Sequence, residues 1–400
     1  MVLRKRPDVQ LQVVVGSAAH FDGIISYLRD ASVHSLRHAL PWYVRARLLK
    51  IFGGTAAVLR REKLSRTIMD DGFSIDARLP LLLEGGTPRE MVISNSRGLR
   101  SLVDIFARLK PDIVLINGDR FEILSVAVAA VLLNIRLAHI EGGDVSGTID
   151  NSIRHAVSKL AHLHFPATEE SAQRLIRMGE DPATVFTFGS PIIDALQGMD
   201  ISLDNSFYER HQHDVGRIDL TKPFLLVAHH PVTTEYDDNR RQMGEILAAL
   251  DTLKLPQFFI APNIDAGSDG ISAMMREYRA GEGASRSVFH KHLSLEDYTK
   301  LLAHAAVAVG NSSSFIREAA YLGTPAVVIG TRQSHRERGA NVVEVACNRD
   351  AIIESVRKQL EHGTYPRDER FGDGNAASLI ADTLSTIDFA KVGIQKFFSE

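Results

Sequence analysis

A chain of 400 residues, 44% apolar and 24% charged, is an ordinary globular sequence, too long for a single core and neither disordered nor fibrous. Its 46 basic and 49 acidic residues leave a net charge of -3, so no global field draws it to nucleic acid. The longest apolar run, Val126 to Leu133, falls far short of the ~18 to 20 residues that cross a bilayer, and one cysteine, Cys347, excludes an internal disulfide framework and a Cys-rich metal site.

At the start, Arg4, Lys5 and Arg6 lead into Pro7, Asp8 and Gln10 where a signal peptide needs an apolar core, which points to a cytoplasmic protein. Leu11 to Val15 reads as a strand. Around Arg45 to Arg66, basic residues mix with Trp42, Tyr43, Leu48, Leu49, Ile51 and Phe52 at helical spacing, the pattern of an amphipathic helix with a solvated face rather than a nucleic-acid surface. There follow a helix over Gly98 to Leu109, a strand over Ile113 to Ile116, a helix over Phe121 to Leu133 and a strand over Leu137 to Ile140. A polar stretch from about Gln197 to Lys222 breaks the rhythm. It resumes with strands at Phe224 to Ala228, Phe258 to Ala261, Ala306 to Val309 and Ala326 to Ile329, and a helix over Ser313 to Leu322. The strand runs are continuous rather than alternating, as in parallel sheets covered on both faces. The pattern predicts an α/β protein of two Rossmann-like, doubly wound domains, 1–197 and 198–375, with ligands at the carboxyl ends of the strands.

Those strand ends carry the polar chemistry. Ile113 to Ile116 runs into Asn117-Gly118-Asp119-Arg120, which puts a carboxylate and a planar guanidinium fork suited to phosphate at a turn, although Asp119 could equally cap the next helix. Leu137 to Ile140 ends in Glu141-Gly142-Gly143-Asp144, and Asp150 falls near a helix start, where an N-cap explains it as well as catalysis does. Three acidic groups crowded in one cleft raise a pKa into the range useful for proton transfer. The pairs His162/His164 and His229/His230 lack the spacing of known metal sites, and His162 and His164 face opposite ways if extended. His229-His230-Pro231, however, leaves a buried strand at a ligand-facing edge. Gly310-Asn311-Ser312-Ser313-Ser314 offers backbone N–H groups and hydroxyls to an anion at a helix start, without the ending of a Walker loop. Arg332 follows another strand.

The segments Asn117 to Glu122, His139 to Asp144, Gly147 to His155, His229 to Thr234, Pro262 to Ser268, Gly310 to Ser314 and Gly330 to Gln333 resemble, in order, the hydrolysing UDP-N-acetylglucosamine 2-epimerases of sialic acid synthesis. The likeness runs from about Ile68 to Gly374. It extends to the epimerase half of the bifunctional animal enzyme, whose kinase domain has no counterpart here. The resemblance implies a GT-B architecture with the sugar nucleotide between two domains and a last helix, Ala376 to Phe398, that crosses back to the first. It implies elimination of UDP to a 2-acetamidoglucal, then addition of water to give free N-acetylmannosamine. Asp119, Glu141 and Asp150 match the family's catalytic carboxylates, and His230 a histidine at the diphosphate. Arg120, Ser312, Ser313 and Arg332 match phosphate or UDP contacts, Glu318 the ribose carboxylate and Asn263 a further UDP contact; Leu293 would meet uracil through its backbone. No metal or other cofactor is implied, and the expected partners are a UDP-sugar substrate and further copies of the chain, as a homodimer or higher homo-oligomer.

Two departures stand out. The family's first strand and its Gly-Thr-Arg loop have no match: Met1 to Pro7 resemble the tail of the first helix and Val9 to Gly16 the second strand. Between Tyr27 and about Lys63 the chain is longer than the family's connection, as a lid or an interface would require. Other readings are the same chemistry on a diacetamido-trideoxy sugar nucleotide of the legionaminic acid route, a non-hydrolysing epimerase or GT-B glycosyltransferase, and an inactive UDP-binding protein. The Gly147 to His155 segment argues for the hydrolysing branch.

Overall fold

The computed structural model describes residues 10–17, 68–69, 72–80, 87–211, 216–263, 265–281, 283, 285–290, 293–389 and 391–399. The expected helix around 45–66, the insertion from Tyr27 and the segment Met1 to Pro7 lie outside these residues.

The first half contributes β1 (Val14–Ser17) and β2 (Ala77–Pro80), α1 (Pro88–Leu109), β3 (Ile113–Asn117), α2 (Phe121–Leu132), β4 (Arg136–Ile140), α3 (Ile149–Leu160), β5 (Leu163–Phe165) and α4 (Glu169–Arg177). All paired strands are parallel. Helix α1 begins at Pro88 rather than Gly98, because Thr87 and Glu90 form a reciprocal capping box with Pro88 in the first turn. The first strand lies at Val14–Ser17, slightly later than the apolar run suggested. Among the described residues this half-sheet is in two pieces, β1 with β2 and β3 with β4 and β5. Accordingly Ile113, Val114 and Leu115 of β3 are half-buried while Leu137 to Ile140 of β4 are buried.

Short helices α5 (Pro191–Leu196) and α6 (Phe207–Arg210) lead into the second half. There β6 (Leu225–Ala228), α7 (Asn239–Leu253), β7 (Gln257–Ile260), α8 (Ser268–Ala280), β8 (Ser287–His290), α9 (Leu295–His304), β9 (Val307–Gly310), α10 (Arg317–Leu322), β10 (Ala326–Ile329), β11 (Val342–Val345) and α11 (Arg349–His362) build a six-stranded parallel sheet of order β11-β10-β9-β6-β7-β8. Its central strands β6, β9 and β10 are apolar throughout because both faces are covered. Leu225 and Val227 of β6 pack into one core with Ile246, Leu250 and Val356, while Leu226 and Ala228 pack into the other with Phe258 and Phe315. The α/β, doubly wound class read from the sequence is thus observed. The predicted helix over Ser313 to Leu322 is split into a 3-10 turn, Ser313–Phe315, and α10.

The final helix, α12 (Ala376–Thr386), is shorter than the expected Ala376 to Phe398. Asp194 of α5 accepts hydrogen bonds from the amides of Ala376 (3.1 Å) and Ala377 (2.6 Å), which fixes where the helix starts. Beyond Thr386 the chain does cross to the first half, but as an irregular tail whose carbonyls are taken by side chains instead of by helical amides. Arg136 donates to Val392 and Phe389, and His162 Nε2 donates to Ile394, each within 3.0 Å. Lys396 meets the buried Glu180 at 2.6 Å. Among the described residues no helix is long and apolar enough to cross a membrane.

Candidate active site

Parallel register brings the first two carboxylates together. Asn117 of β3 sits opposite Ile140 of β4, so Asp119 and Glu141 leave adjacent strands at the same edge. Gly118, at φ +83°, turns the chain between Asn117 and Asp119. Glu141 itself is held at φ +62°, an uncommon conformation for a residue with a side chain and one that concentrates at functional sites. Its amide is paired with the Phe165 carbonyl at 2.9 Å.

The capping explanations are not used. Arg120, not Asp119, occupies the N-cap of α2, and Asp119 pairs with the buried guanidinium of Arg154. Thr148 is the N-cap of α3 and accepts from the Asp150 amide, which leaves the Asp150 side chain to face Arg332 at 3.9 Å. Arg154, one turn after Asp150, also donates to the Asp144 carbonyl (3.1 Å) and to Ser146 Oγ (3.2 Å). Buried His139 braces the same edge from below, with Nε2 against the Gly118 carbonyl (2.9 Å) and Nδ1 against Ser158 (3.1 Å); burial lowers its pKa to about 4.

In the second half, β6, β9 and β10 are neighbours, so the loops after them form one ledge. Asn311, fully buried, ties it together. Its side chain accepts from the His230 amide (2.6 Å) and donates to the His230 carbonyl (2.8 Å), and its own carbonyl accepts from Arg332 (3.1 Å) and Gln333 (2.9 Å). His230 Nδ1 accepts from the Asn263 amide at 3.1 Å, so the neutral ring carries its proton on Nε2. Burial first, then Arg332, keeps that ring neutral by pushing its pKa well down. Ser312 Oγ pairs with Ser314 Oγ at 2.8 Å, and Ser313 opens the 3-10 turn. Glu318 is buried on α10, while Leu293 is half-buried against the second-half core.

The two halves meet through charges. Arg317 pairs with Glu141, Arg336 with Asp144 at 2.5 Å, and Arg120 with Asp265 at 3.3 Å, while the Gly147 amide donates to the Arg332 carbonyl at 3.0 Å. Arg120 also holds Glu122 at 2.7 Å. This arrangement corrects the expectation that like charges raise the carboxylates together. Burial opposes ionisation of Glu141, but Arg317, the Ser190 hydroxyl and Arg336 outweigh it and hold its pKa below the ordinary value. Asp150 moves the other way, raised by burial with Asp265 adding to it against Arg332.

The paired histidines divide. His162 and His164 serve structure, the first binding the Leu137 amide and the tail, the second pairing with Glu180 at 2.9 Å. Among the described residues no group of three or more His, Cys, Asp or Glu side chains is placed to hold a metal ion. Cys347 is half-buried at the edge of a core, and burial raises its thiol pKa to about 11.

A sequence model described as UDP-N-acetylglucosamine 2-epimerase matches residues 56–385. The chain belongs to that family. It is 36% identical over 320 residues to the UDP-N,N'-diacetylbacillosamine 2-epimerase (hydrolyzing) of Legionella pneumophila, covering 80% of this chain and 83% of that protein. It is 29% identical to the UDP-N-acetylglucosamine 2-epimerase of Neisseria meningitidis serogroup B, covering 88% of each. Among solved structures, the Methanocaldococcus jannaschii UDP-GlcNAc 2-epimerase in complex with UDP-GlcNAc and UDP superposes with a TM-score of 0.67 at 19% identity, over 80% of this chain and 86% of that one. The fold is therefore of the GT-B type and the protein a 2-epimerase.

Sequence reasoning did not single out Arg154, Ser190, Asn311 or Arg317 as site residues. Arg154 had a local signal, since it stands four residues from Asp150 on one helix face. Ser190 and Arg317 had none, because their partner Glu141 is distant in the chain.

Proposed function

We propose that this chain is a hydrolysing 2-epimerase acting on a UDP-linked 2-acetamido sugar, with the domains 1–197 and 198–375 on either side of the substrate. The observation that carries this reading is the placement of Asp119 and Glu141 at adjacent strand ends, with Asp150 facing the His230, Asn311 and Arg332 ledge of the other half. A base removes the C2 proton as the C1–O bond to UDP breaks, giving a 2-acetamidoglucal. Water then adds its oxygen to C1, and a proton returns to C2 on the opposite face. Glu141, kept ionised by Arg317, suits the base side; Asp150, whose affinity for a proton burial raises, suits the acid side. In this reading the negative charge gained by departing UDP is stabilised by the Nε2–H of neutral His230, by Arg332 and Arg120 and by the Ser312-Ser313 turn, and the hydrogen bond from the Asn263 amide to the imidazole supports the role of His230. In the same reading Glu318 holds the ribose and the backbone at Leu293 meets uracil.

Two sugars compete. The motifs led to UDP-N-acetylglucosamine, but 36% identity to a relative named for UDP-N,N'-diacetylbacillosamine, against 29% to one named for UDP-N-acetylglucosamine, favours the diacetamido-trideoxy sugar. Incubating the chain with each and following free UDP by chromatography decides. Faster release from the diacetamido substrate supports that preference, and release from neither removes the functional reading. For the assembly we expect a homodimer through the outer helices α1 and α2, where Val92 is 69% and Leu132 74% exposed; sedimentation at the monomer mass would exclude it.

A further inference from the structure

Arg317 stands at the start of α10, in the second half, beside Glu318, yet its Nη1 donates to Glu141 Oε2 in the first half. The other oxygen of Glu141 accepts from Ser190, which lies just before α5 and is itself tied through its amide to the Phe371 carbonyl at 2.7 Å. Both oxygens of Glu141 are therefore held by groups outside its own strand. The opposite side of the Arg317 fork faces Glu318: Nε lies 3.7 Å from Glu318 Oε2, and both atoms are buried without a hydrogen-bond partner. Two orphaned, oppositely charged atoms this close are uncommon in a folded interior, where such groups are nearly always paired. A small rotation of the guanidinium or of Glu318 would pair them, so one planar fork is shared between carboxylates of the two halves.

We propose that Arg317 is a positioning residue that couples occupancy of the nucleotide subsite at Glu318 to the orientation and charge of Glu141. This rests on the reading of Glu318 as the ribose carboxylate. Hydroxyl donors arriving at Glu318 satisfy it and leave the whole fork to Glu141; without them Glu318 competes for the same cation. The reacting carboxylate is thereby fixed in its working state when a nucleotide is bound across the cleft. Lysine at 317 keeps the charge but has no fork to span both partners.

The test is a double-mutant cycle on UDP binding, measured by calorimetry for the wild-type chain, Glu141→Gln, Arg317→Gln and the double variant. Coupling predicts that the effect of Glu141→Gln on the UDP dissociation constant changes by about fivefold or more when Arg317 is absent, in the range of ordinary site-to-site couplings. Effects that multiply to within twofold overturn the proposal. Arg317→Lys, should the glutamine variant fail to fold, is expected to bind UDP within threefold of wild type while turnover falls at least tenfold; equal turnover overturns the proposal as well. A wild-type chain that binds UDP yet releases none from either sugar nucleotide refutes the epimerase reading and leaves the cycle decisive for the coupling. A chain that does not bind UDP removes both.

Discussion

Gly147 is one point at which the two halves touch backbone to backbone. Its amide donates to the Arg332 carbonyl at 3.0 Å, and a Cβ added there would run into the Thr331 carbonyl oxygen. Alanine at 147 must push the Thr331-Arg332 loop away from α3, and with it the guanidinium opposite Asp150. Overpacking of this kind costs about 1 to 3 kcal/mol, and losing the cross-cleft hydrogen bond adds about 0.5 to 1.5 kcal/mol. Because both terms fall on the contact between halves and not on either core, the equilibrium constant for making this contact should fall at least about tenfold, each 1.4 kcal/mol being tenfold. UDP release by Gly147→Ala should drop by at least about tenfold, while the melting temperature moves by less than about 3 °C. Release within twofold of wild type would refute the reasoning that this contact assembles the site.

Other consequences are equally concrete. Asp119→Asn should abolish product and leave the UDP dissociation constant within about threefold, since Asp119 pairs with Arg154 and is not among the proposed UDP contacts; measurable turnover would overturn its assignment. Asn311→Ala strips the buried His230 backbone of both partners, at a cost of roughly 1 to 3 kcal/mol for each unsatisfied group, and should weaken UDP binding by at least tenfold in a calorimetric titration. Burial opposes the charge on Glu180, but His164, Lys159 and Lys396 outweigh it and hold its pKa down to about 2. A folded pKa below the ordinary 4.5 means that this stabilisation, roughly 3 kcal/mol, is present at neutral pH and is lost as pH falls from about 4.5 toward 2. The stability gap between wild type and Glu180→Gln, measured by denaturant titration, should narrow steadily over that window; a gap independent of pH would contradict it.

The strand ends were legible because their signals are local. A continuous apolar run that ends abruptly in polar residues, with a glycine at three of the four turns, marks a buried parallel strand and its exit, and Asp119, Glu141, His230 and Ser312 all fell at such exits. The start of α1 was equally local, since Thr87 and Glu90 spell a capping box, and reading the helix from Gly98 overlooked it. What could not be read is tertiary. Each carboxylate meets an arginine, Asp119 with Arg154, Glu141 with Arg317 and Asp150 with Arg332, so the expected crowding of like charges gives way to opposed shifts at Glu141 and Asp150. The end of α12 depends on Arg136 and His162, distant in sequence, which draw the tail out of helical geometry.

The measurement that bears most directly on the proposed activity is proton NMR of the chain incubated in deuterated water with UDP-N,N'-diacetylbacillosamine and, separately, UDP-N-acetylglucosamine. Elimination followed by water addition predicts UDP and a free manno-configured acetamido sugar carrying deuterium at C2. A C2 epimer still attached to UDP would contradict hydrolysis, and unlabelled free sugar would contradict removal of the C2 proton.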